Sequence, residues 1–209
     1  MNEATTGAKA LRIALAFLLA ASTMLTALLS ALPQQAYAAE SAYLTIGGKI
    51  YYGGWGTTWM YADGNMAYCA NPSASTPSAG SYEKSAVSAP SGRTQETIAD
   101  LWFGYGSPGF DASMWPSTWY DGSAMTDNNY AAITHILASD TYTSDGSYAM
   151  YGCTQAFRAW CQWNVIGFGD DGSEINPNAT GRRICARQWE VPSNFNAFQL
   201  YTGSGTQLI

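Results

Sequence analysis

Hydrophobic and polar residues alternate over short stretches at both ends of the chain and recur at helical spacing in its middle. From Tyr43 to Tyr52 the pattern predicts two strands, Tyr43-Leu44-Thr45-Ile46 and Lys49-Ile50-Tyr51-Tyr52, joined by a Gly47-Gly48 turn. Asp63-Gly64-Asn65 predicts a second hairpin turn, which leads into the short apolar strand Met66-Ala67-Tyr68-Cys69. Cys69 therefore lies at a strand end. The stretch from Asn71 to Pro90 is rich in Ser, Ala, Pro and Gly and reads as a loop.

Helical spacing begins at Thr94, with Glu96, Ile98, Leu101 and Trp102, and breaks at Gly104-Tyr105-Gly106-Ser107-Pro108-Gly109. Asp127 is placed to cap a second helix through Tyr130, Ile133, Ile136 and Leu137, ending near Asp140. Thr154 is placed to cap a third, whose Phe157, Trp160 and Cys161 share a face and which reaches about Trp163. Beyond it, Arg183 to Trp189 and Ala197 to Leu200 read as strands, with a last fragment, Gln207-Leu208-Ile209, after the turn Gly203-Ser204-Gly205. Strands flanking a helical block predict an α+β fold, with a β-sandwich or barrel-like sheet portion and the helices inserted in it. An end on apolar strand residues reads as a cut at a domain edge.

The first residues follow a different pattern. Lys9 and Arg12 precede the apolar run Ile13 to Leu32, then Pro33 and the small-x-small triplet Ala36-Tyr37-Ala38. Residues 1–38 read as an export signal cleaved after Ala38, which leaves 39–209 as one domain; the length of the run also suits an uncleaved anchor. Removing Lys9, Arg12 and Glu3 takes the net charge from −6 to −7. With no basic run, nothing would replace phosphate counterions, so nucleic-acid binding is excluded. Only Lys49 and Lys84 remain as lysines. Aromatic residues at 14% and charged ones at 11% favour a packed domain over a disordered stalk.

Four cysteines in an exported chain ordinarily form two disulfides; the alternative leaves one for other chemistry. Gln155 would sit in the first turn of its helix, where unpaired amides and the helix dipole favour a negatively polarised oxygen. Read together, Tyr68-Cys69-Ala70 and Thr154-Gln155 with Trp160 resemble the two motifs of the thioester domain (TQxA-type) of Gram-positive surface adhesins and pilus-tip proteins. Leu101-Trp102-Phe103-Gly104-Tyr105-Gly106 and Ile133-Thr134-His135 are similar to segments that this family carries between them. The resemblance runs from about Tyr43 to Ile209; Arg158 departs from it, standing where the family prefers an apolar residue.

The resemblance implies an internal thioester between Cys69 Sγ and the Gln155 side-chain carbonyl. A host surface or matrix protein would then be captured through a lysine amine, in a single covalent event without turnover. It implies secretion to the cell surface, contact with membrane only through the export signal, a monomeric domain within a longer surface protein, and no cofactor or metal. Cys153, two positions from Gln155 and without a glycine between, is set aside as the thioester partner. The remaining thiols allow one disulfide, Cys185 with Cys161 or Cys153. His135, the only histidine, is a candidate base for the incoming amine. Thr154 caps the helix, Trp160 packs beneath it, and Tyr68 and Tyr105 would shield the site.

Two other readings use the same residues. Cys69 with His135 could serve a cysteine hydrolase, which would tolerate loss of Gln155. The pairs Trp55/Trp59 and Trp115/Trp119 could form the platforms of a non-covalent carbohydrate-binding surface module. Asp170, Asp171 and Glu174 do not match a calcium loop and read as a solvated turn.

Overall fold

The computed structural model describes residues 40–86, 89–144, 149–195, 198–202 and 206–208. The predicted export signal, 1–38, lies outside them, as do Ala197, the turn Gly203-Ser204-Gly205 and Ile209. Six antiparallel strands form one sheet in the order β3-β2-β1-β4-β5-β6. They are β1 (Ser41–Tyr52), β2 (Trp55–Ala62), β3 (Asn65–Ala67), β4 (Gly80–Ala86), β5 (Phe198–Thr202) and β6 (Thr206–Leu208). Between β4 and β5 the chain forms the helices α1 (Thr94–Trp102), α2 (Asp127–Thr143), α3 (Gln155–Cys161) and α4 (Thr180–Ala186). The architecture is α+β. Every described strand belongs to the same sheet.

Gly47-Gly48 is not a turn. β1 runs straight through it, with a one-residue bulge between the pairs Ile46↔Met60 and Lys49↔Thr58. The extra residue changes which side chains of β1 face which of β2, so the strand serves two cores. Ala42 and Leu44 pack with Met60, Ala67 and Cys69, whereas Ile50 and Tyr52 join the helical core. The reversal comes later, at Gly53-Gly54, where φ is +53° and +96°. The Asp63-Gly64 turn forms as predicted, with both residues at positive φ (50° and 82°).

α2 is the axis of the helical block. Every residue from Ala131 to Ser139 is buried, so this helix is core on all sides. Its start is fixed by Thr126, one residue before the predicted cap: Thr126 Oγ1 accepts from Asn129 N at 3.3 Å, and Asn129 Oδ1 accepts from Thr126 N at 2.9 Å. Asp100 of α1 is buried with one carboxylate oxygen unpartnered among the described residues. Burial pushes its carboxyl up to about 8, against smaller opposing effects of the Thr141 hydroxyl and Arg93.

Two stretches were misread from the sequence. Gly80–Ala86, inside the predicted loop, is the strand β4. Arg183 to Trp189, expected as a strand, falls instead in the helix Thr180–Ala186, whose buried face is Thr180 and Ile184, four residues apart, and in a single 3-10 turn at Gln188–Glu190. Among the described residues, no helix is long and apolar enough to cross a membrane.

Candidate functional site

Cys69 is held from both sides in sequence. Just before it, the Tyr68 hydroxyl donates to Tyr105 O at 2.6 Å. Just after it, Asn71 Oδ1 accepts from Ser73 N and Oγ, at 3.0 and 2.6 Å, and turns the chain. From α2, Ser139 Oγ donates to the Cys69 carbonyl at 2.7 Å, a buried bond between residues far apart in sequence. The thiol is only 8% exposed, and its Sγ stands 3.2 Å from Asn71 O, as a donor. Burial pushes it up to about 11, so it is a protonated thiol at neutral pH.

His135 lies one helical turn before Ser139 and lines the same pocket as Cys69. Burial lowers its imidazole to about 4, so it is neutral, and its Nδ1 has no hydrogen-bond partner among the described residues. The pocket has a volume of about 390 Å³, and Lys49, Tyr52, Trp55 and Met60 complete much of its wall.

The same wall is packed on the start of α3. Thr154 N donates to Gly53 O at 2.6 Å, the Tyr52 and Phe157 rings lie 5.7 Å apart, and Cys153 Sγ is 3.8 Å from Tyr52 O. Thr154 is the N-cap, its Oγ1 accepting from Phe157 N at 3.4 Å, and Gln155 is the first helical residue. Gln155 is exposed and is not itself a lining residue of the pocket. Trp160 packs 5.2 Å from Trp119 and 6.0 Å from Phe157, under the helix start. α3 then widens into a π-turn, Gln162–Ile166, closed by Gly167 at φ +89°.

A model of the thioester domain family matches residues 41–167, more than half of the chain. The chain is a member of the thioester domain family. No curated protein and no solved structure matches it. The matched span of this thioester domain includes Cys69, His135, Thr154, Gln155 and Trp160, and stops short of Cys185.

Several expected roles fall elsewhere. Tyr68 packs with Leu101, Ala138 and Tyr142, and Tyr105 against Trp59, Phe110 and Tyr130, so neither lines the pocket. No two of the four cysteines are bonded to each other, so the structure holds no disulfide between Cys185 and Cys161 or Cys153. The reason is position: Cys185 faces Arg93, Glu96 and Arg182, whereas Cys161 is fully buried with Asp140 and Cys153 as its charged or titratable neighbours. Trp115 and Trp119 are core residues, 3% and 7% exposed, and cannot be platforms. Asp171 accepts from Ser173 within its own turn, and Glu174 pairs with Arg182 at 3.1 Å. Sequence reasoning missed Tyr52, Ser139 and the Gly53 contact, which no local motif marks.

Gly53 joins pocket and helix most tightly. At its φ of +53° an L side chain is strained, and a Cβ there would lie 2.7 Å from Phe157 Cβ. Gly53→Ala is expected to lose roughly 3 kcal/mol of stability, from backbone strain and overpacking together. Gly48→Ala, where a Cβ meets nothing within 4 Å, should stay within about 0.5 kcal/mol of the wild type. Urea denaturation of both variants checks this, and equal midpoints would refute the assignment.

Proposed function

We propose that this thioester domain carries an internal thioester between Cys69 and Gln155 and uses it to attach covalently to amines of a host surface protein. In forming it, Cys69 Sγ adds to the Gln155 side-chain carbonyl carbon, the C–N bond breaks, and the thiol proton leaves with the amide nitrogen as ammonia. Backbone N–H groups at the helix start are suited to the oxyanion that develops. Attack by an amine later breaks the C–S bond, makes an amide to Gln155 and returns the proton to Cys69.

The observation that carries this reading is the packing of the Cys69 pocket on the N-terminus of α3 through Tyr52, Gly53 and Gly54. Burial supports it twice. A thiol pushed up to about 11 is a poor standing nucleophile and needs a base, and neutral His135 with an open Nδ1 is in the same pocket. A sheltered sulfur is also protected from water once acylated. The Cys69 thiol donates to Asn71 O and not to His135, so the cysteine–histidine hydrogen bond of a hydrolase is not made. Release to the cell surface after loss of residues 1–38, with capture through host lysines and no turnover, completes the proposal.

Intact mass tests it. The purified domain should be lighter than its sequence by one ammonia and should take up one methylamine. Mass deficit alone is insufficient, because an amide between Lys49 and Gln155 would release the same ammonia. A full-length mass with no methylamine adduct overturns the proposal.

A further inference from the structure

Lys49 is the only charged side chain among the described residues that line the Cys69 pocket. No carboxylate shares that wall, and no described residue forms an ion pair with Lys49; the other lysine of the domain, Lys84, is engaged by Glu40 and Asp63 at 3.3 and 3.6 Å. Lys49 is exposed, on the part of β1 beyond the bulge, opposite Thr58. Among the described residues it is thus a cation without a carboxylate partner, at the mouth of a pocket in a domain whose net charge is strongly negative.

We infer that Lys49 determines which amine is accepted, selecting lysines flanked by acidic side chains. The inference rests on the thioester reading and deepens it. At physiological salt, charges more than about 8 Å away are largely screened, so Lys49, the one charge among the described lining residues, weighs most on an amine entering the pocket. A second ammonium approaching alone is repelled there, whereas one that brings a carboxylate beside it is attracted. The rest of the wall suits the same partner. Tyr51 and Trp55, 74% and 45% exposed, can cover the four-carbon stem of a lysine, and Thr57, Thr58 and Thr76 offer hydroxyls to a flanking carboxylate.

The experiment compares two blocked peptides, each with one lysine, flanked on both sides by Glu in one and by Arg in the other. Adduct formation on the intact domain is followed by mass, with methylamine as the reference amine for each protein. The wild type should prefer the Glu-flanked peptide by roughly fivefold at low ionic strength, and the preference should shrink in high salt. Lys49→Glu should invert it. Equal peptide ratios in the wild type and Lys49→Glu overturn the inference while leaving the thioester standing. Recovery of a Lys49–Gln155 linked peptide also overturns it, because Lys49 would then be the nucleophile. Failure of methylamine to add to the wild type overturns the thioester reading, and this inference with it.

Discussion

Gln155→Glu is expected to abolish methylamine uptake completely and to restore the full mass of the domain. The substitution exchanges one amide nitrogen for oxygen and keeps the shape of the side chain. Gln155 is exposed at the first position of α3, where a carboxylate is favoured by the helix dipole, so the side chain itself should be tolerated and any loss of stability should come only from the missing cross-link. The chemistry, however, fails: a thiol does not displace oxide from a carboxylate without prior activation, so no thioester forms. Cys69→Ala should give the same mass and the same inertness for the opposite reason, the loss of the sulfur. Cys153→Ala is the control that matters. Cys153 is nearer to Gln155 in sequence and also stands against Tyr52, at 3.8 Å from its carbonyl, yet its loss should leave the ammonia deficit and the methylamine adduct intact. An adduct that survives in Gln155→Glu, or vanishes in Cys153→Ala, would reassign the bond.

The second large effect is on stability against pH, and it comes from two buried groups that titrate in opposite senses. Asp100, raised from an ordinary 3.8 to about 8, keeps its proton in the folded state while the unfolded chain ionises it. Its contribution is therefore full below about pH 4 and is lost as pH rises towards 8. His135, lowered from 6.5 to about 4, stays neutral in the fold while the unfolded chain takes up a proton. Its contribution is full above about pH 6.5 and is lost as pH falls towards 4. Between pH 4 and 6.5 the two slopes cancel, and from 6.5 to 8 only Asp100 acts, removing on the order of 2 kcal/mol. Arg93, Glu96 and Asp140 bear on Asp100 as smaller effects. In Asp100→Asn the alkaline decline should disappear, exposing an acid-side loss of roughly 3 kcal/mol that belongs to His135. In His135→Gln the decline should run uninterrupted from pH 4 to 8. Urea titrations at fixed pH values would show this, and profiles of one shape in all three proteins would dismiss both groups.

The parts of this structure that could be read in advance are those in which a local rule and the tertiary environment agree. Thr154 announces α3 because its hydroxyl has no better use than the Phe157 amide. Asp63-Gly64 announces its hairpin because both residues tolerate positive φ. Where local signals are degenerate, tertiary partners decide. Gly-Gly occurs twice in eight residues of sequence and can be a turn or a bulge; the pairing of Lys49 with Thr58 and Tyr52 with Trp55 makes the first a bulge and the second the turn. β4 has the composition of a loop and exists because β1 and β5 supply ladder bonds to its two edges. α4 carries a legible signal in Thr180 and Ile184, which stand at a four-residue interval and form its buried face. Cys69 and Gln155 were found as motifs, but Tyr52 and Ser139 could not be, since their roles arise only when β1 and α2 meet the cysteine.

The helical block formed by α1 and α2 lies, in chain order, between Cys69 and Gln155. A bond joining those residues would close a loop of roughly 85 residues, and in the chain-entropy picture such a closure removes about 4.5 kcal/mol of freedom from the unfolded state. On that account the intact thioester is also a staple, and spending it on an amine opens the loop. The domain that has captured its partner would then be held together by packing alone, and would melt earlier than the one still waiting.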